Sequence, residues 1–309
     1  MGRRIYLSPK GIPHHVSLTV DGNRRYAAKY GLSVQEGHLM GARKLSFLAT
    51  YLFRQGVDIV SVYCLSTENI KERTRREIRD IETLLCNFCN HLIVQRPDIL
   101  ERDKFKVRRC GNPYLIRPHT LNCLTDLEER TKDYKMHELN LCIAYGGQDE
   151  ILMAICKIAK DICDRSYING EFNRALYNDN LNSITEEDFG RYLYISDDVD
   201  LSIRPGKVRR LSGLLIWQSA YAEYEFPDKY FPELTRRDID LALERYAKVK
   251  RTKGGGKAER AISPERMLIR DTGAGAIKVL NRLAGDLISH DTLRRIKEHF
   301  MDLDRFSDM

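Results

Sequence analysis

No stretch of roughly 18 consecutive apolar residues occurs in the 309-residue chain, so nothing in it is long and apolar enough to cross a bilayer as a helix. Met1 to Lys10 is basic but has no apolar segment of the kind a secretory leader carries. With that leader missing, a reducing cytoplasm is the expected compartment. No basic run is interleaved with aromatics, which argues against a nucleic-acid binder. No long internal repeat and no low-complexity tract is present. Of eight cysteines, Cys86 and Cys89 form the only Cys-x-x-Cys. It has no second pair at zinc-like spacing and falls inside a helical pattern, so a core or groove role is expected rather than a metal site. Cys64, Cys142 and Cys156 fall in apolar stretches, where cysteine acts as a small hydrophobe.

What is present is a chain able to bury a sizeable core, with 42% hydrophobic residues and a mild net charge of +7. That balance fits an enzyme for anionic substrates, or one working near anionic lipid. Apolar runs read as strands at His15 to Val20, Asp58 to Cys64, Lys104 to Arg109, Leu139 to Tyr145 and Val199 to Ile203. Helical spacing falls between them, at His38 to Gln55, Ile78 to Ile93, His119 to Arg130, Asp149 to Ala159, Thr185 to Leu193 and Asp238 to Arg251. Lys71 to Arg79 holds five Lys or Arg and reads as mobile or solvated. Asp164 to Ile184 reads as a loop-rich excursion. The alternation implies an α/β fold, a parallel β-sheet flanked by helices on both faces. Lys253-Gly254-Gly255-Gly256-Lys257 is a flexible break. It divides a domain over 1–256 from a C-terminal helical extension over 257–309.

In a parallel sheet the ligand site lies at the carboxyl ends of the strands. Asp21, Ser66, Gly146 and Arg204 each follow a strand, so one edge collects them. At the first strand's end stand Asp21-Gly22-Asn23-Arg24-Arg25. The free N–H groups of a helix start suit phosphate there. Asp21 could hold a divalent cation that bridges phosphate oxygens, and Arg25 could grip the same group as a fork. Asp-Gly-Asn is equally ordinary turn chemistry, and spacing alone leaves both readings standing.

Read in order, seven motifs resemble the cis-prenyltransferase family, which includes undecaprenyl and dehydrodolichyl diphosphate synthases. They are Asp21-Gly22-Asn23-x-Arg25, Glu36-Gly37-His38, Ser66-x-Glu68-Asn69, Tyr145-Gly146-Gly147, Arg204, Arg210-Leu211-Ser212 and Trp217-Gln218-Ser219-Ala220-Tyr221-Ala222-Glu223. The resemblance runs from about residue 12 to 256 and leaves the tail unexplained. It implies a Mg²⁺-dependent transferase that condenses an allylic prenyl diphosphate with isopentenyl diphosphate and releases diphosphate. Asp21 would hold the Mg²⁺, joined by Glu223, which could come from a partner subunit's side. Gly22, Asn23 and Arg25 would line the allylic diphosphate site, with His38 beside it. Arg204, Arg210 and Ser212 would bind the second diphosphate, and Ser66 and Asn69 would act where a proton leaves. The family forms dimers, and the apolar run Leu214 to Phe226 fits a homodimer interface. A lipid product would bring the protein to a membrane periphery.

The chain also departs from the family pattern. Val34 stands where an arginine is usual, and Arg24, where glycine is common, could replace it. The usual Arg-x-Ser-Gly-Glu run reads Arg204-Pro205-Gly206-Lys207-Val208. The glutamate is gone, which alters the acceptor end more than the allylic end. Irregular, head-to-middle coupling onto dimethylallyl diphosphate is therefore the alternative to regular elongation. A non-catalytic partner subunit would have lost Asp-Gly-Asn-x-Arg, which is intact here. A trans-prenyltransferase needs Asp-Asp-x-x-Asp on helices, and Asp197-Asp198-Val199-Asp200 has the wrong spacing. The apolar faces of the helices at 39–52 and 78–93 could wall a water-free tunnel or serve as plain core.

Overall fold

The computed structural model describes residues 11–249. The flexible break at 253–257 and the expected extension over 257–309 lie outside the described residues. Residues 11–161 and 186–249 belong to one compact unit, and residues 162–185 to a second.

In the first unit, β1 (His15–Thr19) is buried at all five positions, as a strand covered on both faces must be. A turn leads to α1 (Asn23–Lys29) and then α2 (Val34–Arg54), which Ser33 and Glu36 start as a reciprocal capping box. β2 (Ile59–Ser66) follows, then two short-linked helices, α3 (Thr67–Glu72) and α4 (Arg75–Asn90). Ser66 caps the first and Thr74 the second through their hydroxyls. A π-helical turn, His91–Gln95, closes α4. Next come α5 (Pro97–Asp103), β3 (Phe105–Cys110), α6 (Pro118–Thr131), β4 (His137–Tyr145) and α7 (Gly147–Arg165), whose residues from 162 on belong to the second unit.

The expected loop-rich excursion at 164–184 carries structure of its own. A two-residue hairpin, β5 (Tyr167–Ile168) with β6 (Glu171–Phe172), leads into α8 (Arg174–Asn182). Tyr167 packs on Phe172 and Phe172 on Tyr177, each with ring centroids 5.6 Å apart. Strands of two residues carry no readable period, which is why the sequence pattern shows only polarity there.

The first unit resumes with α9 (Glu186–Arg191), β7 (Leu201–Ile203), β8 (Glu223–Glu225) and α10 (Arg236–Lys248). The sheet order is β3-β4-β2-β1-β7-β8, and every neighbouring pair is parallel. This is the parallel sheet with flanking helices that the alternation implies. From β1 the chain first adds β2 on one side and later β7 on the other. A crevice opens at the carboxyl end of β1 where the direction changes.

Alternate strand residues feed two apolar clusters, as a period of two requires. Val16, Leu18, Val60, Val62, Leu139 and Leu141 join Leu48 and Leu52 of α2, Leu85 of α4 and Leu127 of α6. Tyr63, Cys142 and Tyr145 join Ile195, Val199, Leu214 and Leu215. One polar knot crosses the strands. His15 Nε2 meets Ser61 Oγ at 2.7 Å, and Asn140 Nδ2 donates to the same oxygen at 3.2 Å. Burial depresses the pKa of His15, so the ring is neutral near pH 7. Among the described residues no helix is long and apolar enough to cross a membrane.

Candidate active site

The crevice at the end of β1 is where the chemistry collects. Gly22 makes the turn with φ +95°, a left-handed value that glycine takes without strain. Asn23 opens α1 without any side-chain cap, so the first-turn amides lack a side-chain acceptor. Two glycines of α2 explain how α1 is held. A Cβ on Gly37 would lie 2.5 Å from the Asn23 carbonyl oxygen, and one on Gly41 would lie 2.5 Å from Asn23 Oδ1. α1 therefore rests on α2 at near backbone contact, with buried Asn23 at the crossing.

Asp21 is the hub of the crevice. Its Oδ1 accepts from Arg25 Nη2 at 2.7 Å, and its Oδ2 accepts from Arg204 Nη2 at 3.0 Å. Arg25 Nη1 also donates to the Gly206 carbonyl at 2.5 Å, and Arg204 Nη1 donates to the Arg210 carbonyl. The carboxylate thus ties the end of β1 to the loop after β7. Arg210 Nε donates to Ser212 Oγ at 3.3 Å on that loop.

Glu77, near the start of α4, is a second hub. His38 Nε2 lies 3.2 Å from Glu77 Oε1, Arg73 Nη1 3.2 Å and Arg24 Nε 3.9 Å. Burial lowers the pKa of His38. The Glu77 hydrogen bond opposes that shift, and the nearby Arg73 and Arg24 charges reinforce it. The imidazole is therefore neutral at pH 7. The Ser66 hydroxyl that caps α3 accepts the Asn69 N–H at 3.0 Å.

These groups surround one cavity of about 980 Å³. Its polar part is lined by Asp21 to Arg25, Ser66, Asn69, Arg73, Arg204, Arg210 and Ser212. Its apolar part is lined by Ala42, Leu45 and Ala49 of α2, by Ile81, Leu84, Leu85 and Phe88 of α4, and by Leu139 and Leu141 of β4. On each helix these residues recur at three and four, so each presents one face. The buried Nε atoms of Arg73 and Arg204 have no hydrogen-bond partner. Leaving such a donor unpaired costs about 1–3 kcal/mol, and an oxyanion removes that cost. The site suits an anionic head group with an apolar tail.

The family described as "Putative undecaprenyl diphosphate synthase" matches residues 19–254. The chain belongs to the cis-prenyltransferase family. It is 36% identical over 256 residues to the trans,polycis-polyprenyl diphosphate synthase ((2Z,6E)-farnesyl diphosphate specific) of Thermobifida fusca, covering 82% of this chain and 85% of that one. It is 35% identical over 245 residues to the tritrans,polycis-undecaprenyl-diphosphate synthase (geranylgeranyl-diphosphate specific) of Methanopyrus kandleri, covering 79% and 85%. The crystal structure of lavandulyl diphosphate synthase from Lavandula x intermedia, in complex with dimethylallyl diphosphate, superposes with a TM-score of 0.66. It covers 79% of this chain and 99% of that one, and at 23% identity the likeness is one of fold.

This cis-prenyltransferase is an isoprenyl transferase, a cis-prenyl diphosphate synthase. The class joins isopentenyl diphosphate to allylic diphosphates. The structure brings Asp21, Gly22, Asn23, Arg24, Arg25, His38, Ser66, Asn69, Arg204, Arg210 and Ser212 to the same cavity. Glu223 is not among the lining residues. It begins β8 opposite Leu201, the first residue of β7, while Arg204 follows the last. Parallel pairing therefore sets Glu223 at the amino edge of the sheet, away from Asp21 within one chain.

One charged cavity group was not expected from sequence. Arg73 sits in the segment that reads as mobile or solvated. Lys71, Arg75, Arg76 and Arg79 are exposed as expected, but Arg73 is held by Glu77 between two capped helices and lines the cavity. The signal that was there is Thr74-x-x-Glu77, a helix start that ends the run of charge. Of the altered acceptor run, Lys207 and Arg209 are exposed, while Val208 lines the cavity.

Cis-prenyltransferases are typically Mg²⁺-dependent. Asp21 fits that ion. Each of its oxygens accepts one hydrogen bond and keeps a lone pair free. A single carboxylate is enough for Mg²⁺, which retains waters and takes further ligands from a diphosphate, and the flanking arginines suit that diphosphate rather than the ion.

Proposed function

We propose that the enzyme extends an allylic prenyl diphosphate with isopentenyl diphosphate in a Mg²⁺-dependent reaction that forms a cis double bond. The observation that carries this is a cavity with an arginine-rich mouth at the strand ends and an apolar wall from α2 and α4. Gly22, Asn23, Arg24 and Arg25 hold the allylic diphosphate, beside neutral His38. Asp21 would hold Mg²⁺, which when bound would supply electrostatic stabilisation of the departing diphosphate. Arg25 and Arg73 share that task, since charge builds on the leaving oxygens. Arg204, Arg210 and Ser212 hold the second diphosphate. The double bond of isopentenyl diphosphate attacks the allylic carbon as its C–O bond breaks, and a proton leaves the adjacent carbon near Ser66 and Asn69. The apolar wall keeps water from the allylic cation.

Glu223 can join the metal in this scheme only from a second copy, which accords with a homodimer through 214–226. A lipid product accords with work at a membrane periphery. A second reading, head-to-middle coupling onto dimethylallyl diphosphate, is favoured by Val208, which puts an isopropyl group in the cavity where the family pattern has a carboxylate. The test is incubation of the purified protein with Mg²⁺ and pairs of prenyl diphosphates from five to twenty carbons, with products identified by mass and double-bond geometry. Linear cis products that require isopentenyl diphosphate support regular elongation. Branched products from dimethylallyl diphosphate alone support the second reading, and no condensation with any pair overturns both.

A further inference from the structure

A second constellation lies between α4 and α6, and the prenyl chemistry does not use it. Cys86 of α4 meets His119 and Cys123 of α6, and one ligand atom from each lies within 4.8 Å of the other two. His119 and Cys123 are four residues apart and so share a helix face. The packing of α6 on α4 brings that face to Cys86.

The two helices are fixed to each other next to this point. Glu82, one turn before Cys86 and 2% exposed, accepts the Arg117 backbone N–H at 2.9 Å, just before α6 begins. The Arg117 side chain donates to the same carboxylate. Leu85 and Leu124 are buried beside the cluster in the common core. All three ligands therefore project from regular helices in a packed frame, the support that a metal site needs.

We infer that Cys86, His119 and Cys123 form a binding site for a borderline-soft cation of the Zn²⁺ class. Two sulfurs and one imidazole select such an ion over Mg²⁺, which takes oxygen ligands. Tetrahedral Zn²⁺ with bonds of about 2.0–2.3 Å needs its ligand atoms closer than about 4 Å, a small closure from the separation seen. Binding releases the two thiol protons, and the resulting site of two thiolates and one cation is neutral. Three protein ligands leave one tetrahedral position for water. The ion would cross-link α4, whose opposite face lines the prenyl cavity, to α6.

The test uses the full chain, reduced and stripped with chelator, titrated with Co²⁺ and then displaced by Zn²⁺. The expected result is a thiolate-to-cobalt charge-transfer absorption that saturates at one ion per chain and vanishes with one equivalent of Zn²⁺. The oxygen ligands of the Asp21 site cannot produce that absorption. Cys86→Ser and Cys123→Ser should each diminish it, and the exposed Cys156→Ser should leave it unchanged. His119→Ala changes an exposed side chain and keeps the fold, so it guards against loss of structure. It should weaken Co²⁺ at least about 10-fold, the smallest penalty usual even for an outer partner of a metal ligand. The inference is overturned if the reduced protein shows no thiolate absorption. It is equally overturned if the absorption survives both cysteine variants, or if air only joins Cys86 to Cys123 as a disulfide and the reduced pair takes up no metal.

Discussion

The turn at Asp21 to Arg25 and the loop at Arg204 to Ser212 meet on one carboxylate, yet they are made differently. The turn is fastened on both sides, by a strand buried at every position and by a short helix pressed onto α2 through Gly37 and Gly41. The loop hangs from one end of a three-residue strand and takes positive φ at Gly206, Lys207 and Ser212. Its fixed points are Arg204, 6% exposed and bonded to Asp21, Gly206, whose carbonyl accepts from Arg25 and whose N–H donates to the Lys229 carbonyl, and the backbone around Arg210. Between those points a residue can change without disturbing a helix or a strand. The family motif is intact on the turn and altered on the loop. The difference in construction matches where the pattern changes: chemistry held by regular elements is kept, and the exposed or cavity-facing loop positions between anchors, Lys207 to Arg209, are among those that differ.

The sharpest way to break this comparison is at the shared carboxylate. Asp21→Ala should lower turnover about 10²–10³-fold, the usual cost of one electrostatic stabiliser. The fold should survive, because Asp21 lies at a strand end outside both apolar clusters. Steady-state turnover with circular dichroism as the folding check measures it, and near-normal turnover would remove Asp21 from the metal role.

On the loop side, Arg210→Ala should raise KM for the acceptor about 10-fold with a smaller change in kcat. One charge-assisted hydrogen bond to an exposed guanidinium is worth about that much. An equal loss in kcat would place Arg210 on the departing diphosphate instead. Val208→Glu restores a carboxylate at the cavity and should shift the product ratio between isopentenyl and dimethylallyl acceptors by about 3–10-fold, within reach of a single pocket contact. Competition with both acceptors present measures it. An unchanged ratio with activity retained would make 205–208 an ordinary loop.

The smallest effect concerns acid. His15 and His38 are buried with depressed pKa values, so the unfolded chain binds protons near pH 6.5 that the native chain does not. The unfolded state then carries the extra protons, and stability falls as pH drops through about 6.5. Each unit of depression contributes about 1.4 kcal/mol at pH well below the native value. Urea midpoints should fall between about pH 7.5 and 5.5, and His15→Gln should flatten part of that slope.

The sheet and most of the cavity were legible in the sequence because both follow from short-range rules. A buried parallel strand must be an apolar run, and its carboxyl end must carry the polar residues. What was not legible depends on pairing between distant segments. Arg73 looks solvated until Glu77 and the caps at Ser66 and Thr74 are seen to hold it. Glu223 follows an apolar, aromatic run, yet only the register of β8 on β7 shows which sheet edge it occupies. Cys86 lacks a partner pair in sequence because its companions come from another helix, more than thirty residues on.

The contact of α1 with α2 has a mechanical consequence. Asn23 is seated against Gly41 with its Oδ1 and Nδ2 within 2.6 Å of where a Cβ would be. From Gly41, the same helix runs on past Ala42, Leu45 and Ala49, the wall of the apolar cavity. At 1.5 Å per residue, Gly41 and Ala49 are about 12 Å apart along one rigid rod. A shift of α2 along its cavity face would therefore move the surface on which Asn23 and the adjoining turn rest. In the proposed binding mode the helix that walls the apolar tail also supports the turn that meets the charged head, so the two ends of the cavity share one rigid element.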